Sequence, residues 1–125
     1  MSIFAVIILM IFAHIVDDFY LQGILAAMKQ KGWWNKNAPD KLYKYDYIVA
    51  LIVHALSWAI MITLPILYAS TWDPHWAVYL MLAVNMAIHA TVDDFKANRR
   101  KINLITDQSI HITQIVFTWL VWSAL

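Results

Sequence analysis

The chain has 125 residues, 62% of them hydrophobic and only 14% charged. That balance excludes an ordinary soluble domain of this length and makes lipid the chain's expected solvent. A formal net charge of +1 gives no reason to expect a nucleic-acid partner, and the absence of cysteine excludes disulfides and thiolate metal sites.

Four apolar runs, about 2–27, 46–70, 75–95 and 104–125, are each long enough to cross a hydrocarbon core of about 30 Å. The sequence therefore predicts an all-α fold, a four-helix transmembrane bundle forming one domain over 1–125, with loops at about 28–45 and 96–103 on the cytoplasmic side. The first run lacks the basic n-region and small-residue cleavage site of a signal peptide and continues past Asp18 into Leu21, Ile24 and Leu25. The loop after it holds Gly32, Trp33, Trp34 and Pro39, followed by Tyr43, Tyr45 and Tyr47, a set suited to an interfacial collar with room for a short amphipathic helix. Pro65 falls late in the second run, where it is able to kink a helix. Asp73-Pro74 reads as the turn into the third run, with Trp72 and Trp76 at the opposite interface. A short echo, Val16-Asp17-Asp18-Phe19 and Val92-Asp93-Asp94-Phe95, is too brief to mark a duplication.

All nine basic residues lie in two of the connections: Lys29, Lys31, Lys36, Lys41 and Lys44 in the first, Lys96, Arg99, Arg100 and Lys101 in the third. Short loops rich in Lys and Arg stay in the cytoplasm, so both termini are expected outside it. The aspartates Asp40, Asp46 and Asp73, with His75, are read as loop residues, and Asp17 and Asp94 as flanking groups that are solvated or lysine-paired.

The remaining ionisable residues recur at helical spacing inside the apolar runs: His14 with Asp18, His89 with Asp93, Asp107 with His111, and His54 alone on the second run. With alternating helix directions all seven fall in one slab, roughly 5–18 Å below the cytoplasmic surface. Each helix then carries a narrow polar stripe: His14, Asp18 and Gln22; Tyr47, His54 and Ser57; Asn85, His89 and Asp93; Asp107, His111, Gln114 and Thr118. Interhelical hydrogen bonding accounts for Asn85, Ser57, Thr118 and Gln114. It does not account for seven ionisable groups, which are costly in hydrocarbon and mark a functional site.

Imidazole and carboxylate without thiol suit a divalent metal such as zinc, manganese or iron, and zinc is the expected ion. The candidate ligands are His14, Asp18, His54, His89, Asp93, Asp107 and His111, more than one tetrahedral ion needs. Either some aspartates orient histidines from outside the coordination sphere, or two ions bind. Asp18, Asp93 and Asp107 are the candidate catalytic carboxylates, as ligands or bases.

The pattern His14-x3-Asp18-Phe19-x2-Gln22, His54, His89-x3-Asp93-x2-Lys96 and Asp107-Gln108-x2-His111 resembles a family of small inner-membrane proteins from bacteria and their phages, a domain of unknown function. The resemblance covers most of the chain and implies a bacterial or phage source and a multi-pass place in the inner membrane. It implies no particular reaction, so function rests on the site itself.

The first expectation is a metal-dependent hydrolase acting on a lipid or lipid-phosphate, with Lys29, Lys96, Arg99 and Arg100 available to hold phosphate; the same residues also serve as topology determinants. The second is a proton or divalent-cation transport protein, against which the polar slab stops halfway across the membrane. The third is a phage or bacterial regulatory membrane protein with a structural metal. Membrane lipids are the expected partners, and association into a homo-oligomer is open.

Overall fold

The computed structural model describes residues 1–125 as an all-α chain without strands. It contains six helices: α1 Ile3–Ile15, which continues as a π-helical segment Val16–Leu21; α2 Leu25–Met28; α3 Lys31–Asn37; α4 Asp46–Ala69; α5 Trp76–Ala97; and α6 Leu104–Ser123. A single 3-10 turn, Lys41–Tyr43, precedes α4.

The expected four-helix bundle is thus met only in part, with six helices instead of four. The connection expected at 28–45 holds α3, the short helix for which its sequence has room. The first long helix ends at Leu21 instead of running to about 27, and the rest of that run forms α2. The reason for the early end is local. Gly23 adopts φ +52° and turns the chain back, a conformation that costs other residues about 1–2 kcal/mol. An added Cβ there would meet only the Leu21 carbonyl at 3.9 Å. Gly23→Ala is therefore expected to destabilise the fold by about 1–2 kcal/mol through the backbone alone, readable as a lowered midpoint in thermal unfolding.

Three segments are long and apolar enough to cross a membrane: Ile3–Leu21, Lys41–Ala69 and Trp76–Ala97. The helix α6 has the length, but Asp107, Gln108, Ser109, His111 and Gln114 dilute its apolar character. Side-chain caps fix the helix starts. Ser2 accepts from the Ala5 amide and Asn103 from the Thr106 amide, satisfying donors that the first turn leaves free. The helix α4 runs through Pro65 to Ala69 without interruption.

The long helices pack in a ring, α1 on α4, α4 on α5, α5 on α6 and α6 on α1. Their outer faces carry exposed Phe4, Ile8, Phe12, Ile52, Leu80 and Phe117, an apolar exterior suited to lipid. The interior divides along its length. Toward the termini it is a dry cluster of Val6, Met10, Ala59, Ile62, Ile66, Val78 and Ile115, closed by Trp58. Toward the α1–α4 and α5–α6 connections the buried side chains are His14, Asp17, Asp18, Lys29, His54, His89, Asp93, Asp107 and His111.

Candidate metal centre

The polar half of the core is assembled from all four long helices. The α1 contribution depends on the π-helical segment. Adjacent residues of an α-helix point about a hundred degrees apart, yet both Asp17 and Asp18 are buried here. Standing three and four residues after His14, the two flank its face of the helix, and both carboxylates turn inward within the π-helical segment. Asp17 Oδ1 accepts from the Ser57 hydroxyl at 2.6 Å, and Asp18 enters the centre of the cluster.

Around Asp18 four ligand-type atoms meet. His54 Nε2 lies 3.2 Å from Asp18 Oδ1, 3.3 Å from Asp93 Oδ2 and 3.1 Å from His89 Nε2. His89 Nε2 lies 3.9 Å from Asp18 Oδ1 and 3.7 Å from Asp93 Oδ2. A tetrahedron with metal–nitrogen bonds of 2.0–2.1 Å has edges of about 3.4 Å. The His54, His89 and Asp18 separations are comparable with such edges, and these three residues form one group able to hold a metal. All four residues are at most 5% exposed.

A second set adjoins the first. His111 Nε2 lies 3.4 Å from Asp93 Oδ1 and 3.3 Å from Asp107 Oδ1. All three atoms are buried, and none has a hydrogen-bond partner. The rings of His89 and His111 stack at 4.1 Å, so the two sets share a wall.

Two lysines and a glutamine hold the carboxylates. Lys29, only 5% exposed, donates to Asp93 Oδ2 at 2.7 Å and to Gln22 Oε1 at 3.0 Å. Lys96 donates to Asp107 Oδ2 at 2.7 Å. The Gln108 amide donates to Asp18 Oδ2 at 2.9 Å and to Asp107 Oδ2 at 3.0 Å, tying α6 to α1. Four buried carboxylates, Asp17, Asp18, Asp93 and Asp107, therefore face two ammonium groups. With the histidines neutral, the two excess negative charges are the electrostatic condition for binding a dication in a low-dielectric interior.

His14, expected as a ligand, is placed differently. The indole N–H of Trp58 donates to its Nδ1 at 2.8 Å, which leaves the proton on Nε2 to donate to Gln108 Oε1 at 2.9 Å. Both ring nitrogens are engaged, so His14 positions Gln108 instead of offering a ligand atom. The expected phosphate-holding rim is also changed. Lys29 and Lys96 turn inward onto carboxylates, and Arg99 pairs with Asp94 at 3.1 Å, leaving Arg100 exposed and unengaged. Of the other expected site residues, the fold brings together Asp18, His54, His89, Asp93, Asp107 and His111.

Sequence reasoning missed Asp17, Trp58 and Gln108 as contributors and Ser57 as an Asp17 partner, and it read Lys29 as a phosphate-holding residue instead of a carboxylate partner. Gln108 sits beside Asp107, off the stripe set by i,i+4 spacing. The signal for Lys29 was Gly23, whose turn folds α2 back under the helix ends. Asn98 completes that fold-back by accepting from the Lys31 amide at 2.7 Å and donating to the Lys29 carbonyl at 3.0 Å.

Groups able to hold a metal thus comprise Asp18, His54 and His89; His89, Asp93 and His111; and Asp18, Asp107 and His111. No curated protein and no solved structure matches the chain. The family model described as "Protein of unknown function (DUF3307)" matches residues 6–125. That is nearly the whole length, including every residue of the centre, and the chain belongs to that family.

Proposed function

We propose that the protein is a metal-dependent hydrolase of the bacterial inner membrane, acting on a lipid or lipid-phosphate near the cytoplasmic leaflet. In this reading α1, α4, α5 and α6 all span the bilayer, and both termini lie outside the cytoplasm. The observation that carries the proposal is that His54 Nε2 and His89 Nε2 lie within 3.1–3.9 Å of each other and of an oxygen of both Asp18 and Asp93 in a buried site. Neutral imidazole with carboxylate favours zinc.

A bound divalent ion supplies a water of pKa about 7 and polarises a carbonyl or phosphoryl oxygen. The protein's part is to hold that ion and to take the proton. Asp18, Asp93 and Asp107 supply the carboxylates, with Lys29, Lys96 and Gln108 fixing their orientation. The neighbouring surface suits a lipid. Between α5 and α6 an apolar groove is lined by Met81, Val84, Ile88, Ile110 and Phe117, with Gln114 in its wall. Gln114 Oε1 lies 3.2 Å from His111 Nδ1, which connects an acyl-chain-sized groove to the polar centre. The dry half of the core, from Val6 to Ile115, argues against a continuous ion path and hence against transport.

The test uses the full chain purified in detergent. Elemental analysis is expected to find stoichiometric zinc or a related ion, lost in His89→Ala. Phosphorus NMR of a bacterial lipid extract is expected to show metal-dependent release of a head group or phosphate, reduced about a hundredfold or more in Asp107→Asn. Protein without metal sinks the proposal. Metal-loaded protein that hydrolyses no lipid, yet needs the ion to stay folded, favours a regulatory protein with a structural metal. Metal-driven ion flux into liposomes favours transport.

A further inference from the structure

We infer that the centre takes two divalent ions bridged by the carboxylate of Asp93. The inference rests on the metal-centre reading above and adds to it the number of ions and the ligands of each. The first ion is held by His54 Nε2, His89 Nε2, Asp18 Oδ1 and Asp93 Oδ2. The second is held by His111 Nε2, Asp107 Oδ1 and Asp93 Oδ1.

Asp93 carries the argument because its two oxygens face different histidines. Oδ2 lies 3.3 Å from His54 Nε2 and 3.7 Å from His89 Nε2, while Oδ1 lies 3.4 Å from His111 Nε2. One carboxylate oriented toward two histidine sets is the arrangement of bridged two-metal sites in helical bundles.

The tautomer of His111 supplies an independent reason for the second ion. The Gln114 amide nitrogen donates to Asn85 Oδ1 at 3.1 Å and to the Asn85 carbonyl at 3.2 Å. Its Oε1 is thereby the atom turned to His111 Nδ1, at 3.2 Å, and that ring nitrogen must be the donor. A neutral His111 then presents a bare Nε2 to Asp93 Oδ1 and Asp107 Oδ1. Nε2 lies 3.4 Å from Asp93 Oδ1 and 3.3 Å from Asp107 Oδ1, and all three atoms are buried without a hydrogen-bond partner. The approach of a bare ring nitrogen to two carboxylate oxygens is repulsive unless a cation, either a proton on Nε2 or a metal ion, sits beside it. A proton there makes a hydrogen bond to neither oxygen, whereas a metal ion can be shared between them.

The ligand count allows the two ions to differ. The second ion would have three protein ligands, leaving coordination positions for water and a substrate oxygen, as catalytic sites require. The first, with four, is closer to saturated. The two ions would thus differ in role, one anchoring Asp93 and the other facing substrate.

The experiment titrates chelator-stripped full-length protein with Mn2+ in detergent, counting bound metal after desalting and recording electron paramagnetic resonance. About two ions per chain are expected, with the exchange-coupled signal of neighbouring Mn2+. Asp107→Asn and His111→Gln, both close to isosteric, are expected to keep about one ion with the resolved hyperfine pattern of an isolated Mn2+. Saturation of the wild type at one ion, or two ions without coupling, overturns the bridge while leaving the metal-centre reading intact. No bound ion overturns both. The wild-type spectrum decides the matter even if a variant fails to fold.

Discussion

Replacing Asp93 with asparagine is expected to abolish metal binding and to destabilise the fold by about 3–5 kcal/mol, the cost of breaking a buried ion pair from one side. Asp93 is 1% exposed and Lys29 5%, so the ammonium cannot recover water when its partner is lost. Lys29 reaches Asp93 across the fold at 2.7 Å. Its own backbone is clamped by Asn98, which leaves the side chain little freedom to withdraw. The stranded charge is therefore the main penalty, and removing it should restore stability. Lys29→Met in the Asp93→Asn background is expected to recover most of the loss without restoring metal binding. Thermal unfolding in detergent measures the first quantity and elemental analysis the second. Equal stability of the single and double variants would show that Lys29 escapes to solvent.

The other large effect is expected at Trp58. Its side chain is fully buried where the apolar and polar halves of the core meet. It stacks on His89 at 4.2 Å and 17°, and its N–H fixes the His14 tautomer. Trp58→Ala should cost about 3–5 kcal/mol, the range for deleting a large aromatic from a packed core. Trp58→Phe keeps most of the volume and the stacking but leaves the buried His14 Nδ1 unpaired, an expected loss of about 1–3 kcal/mol. It should also weaken metal binding by about tenfold or more, because Gln108 loses the partner that orients it toward Asp18 and Asp107. Comparing unfolding midpoints and metal affinities of the two variants separates packing from positioning. A Phe variant with unchanged affinity would remove His14 from the chain of contacts to the ions.

Much of the centre was legible as spacing. The pairs His89 with Asp93 and Asp107 with His111 lie on regular α-helices, where residues four apart must share a face, and the structure places both pairs inside. His54 was legible because a lone histidine in an apolar run needs a polar neighbour. What stayed hidden depended on departures from regular geometry or on tertiary partners. Asp17 stands three residues after His14 and so near the same face, but its burial depends on Ser57 of α4, a partner that spacing along α1 does not reveal. Lys29 read as a loop cation because its burial depends on a fold-back through Gly23, not on its own sequence neighbourhood. The division of histidines between candidate ligands and supports could not be read from spacing, since it follows from which of them accepts the Trp58 indole N–H. The length of the first helix failed for the related reason that apolar residues continue past the turn at Gly23 into α2.

The position of Asp17 and Asp18 also constrains how the protein can be made. They belong to α1 and its π-helical continuation, whereas their partners Ser57, His54 and Gln108 all come later in the chain. An aspartate held at the middle of a bilayer costs about 2.5–3.5 kcal/mol during insertion. The chain limits that cost by placing both at the trailing end of the helix, behind a run of uninterrupted apolar residues from Ile3 to Ala13. Gln108, which closes the contact between Asp18 and Asp107, arrives only when α6 has been synthesised. A nascent chain that stops short of α6 would have the α4 partners of Asp17 and Asp18 but not the Gln108 contact, so the centre closes only once α6 has joined the bundle.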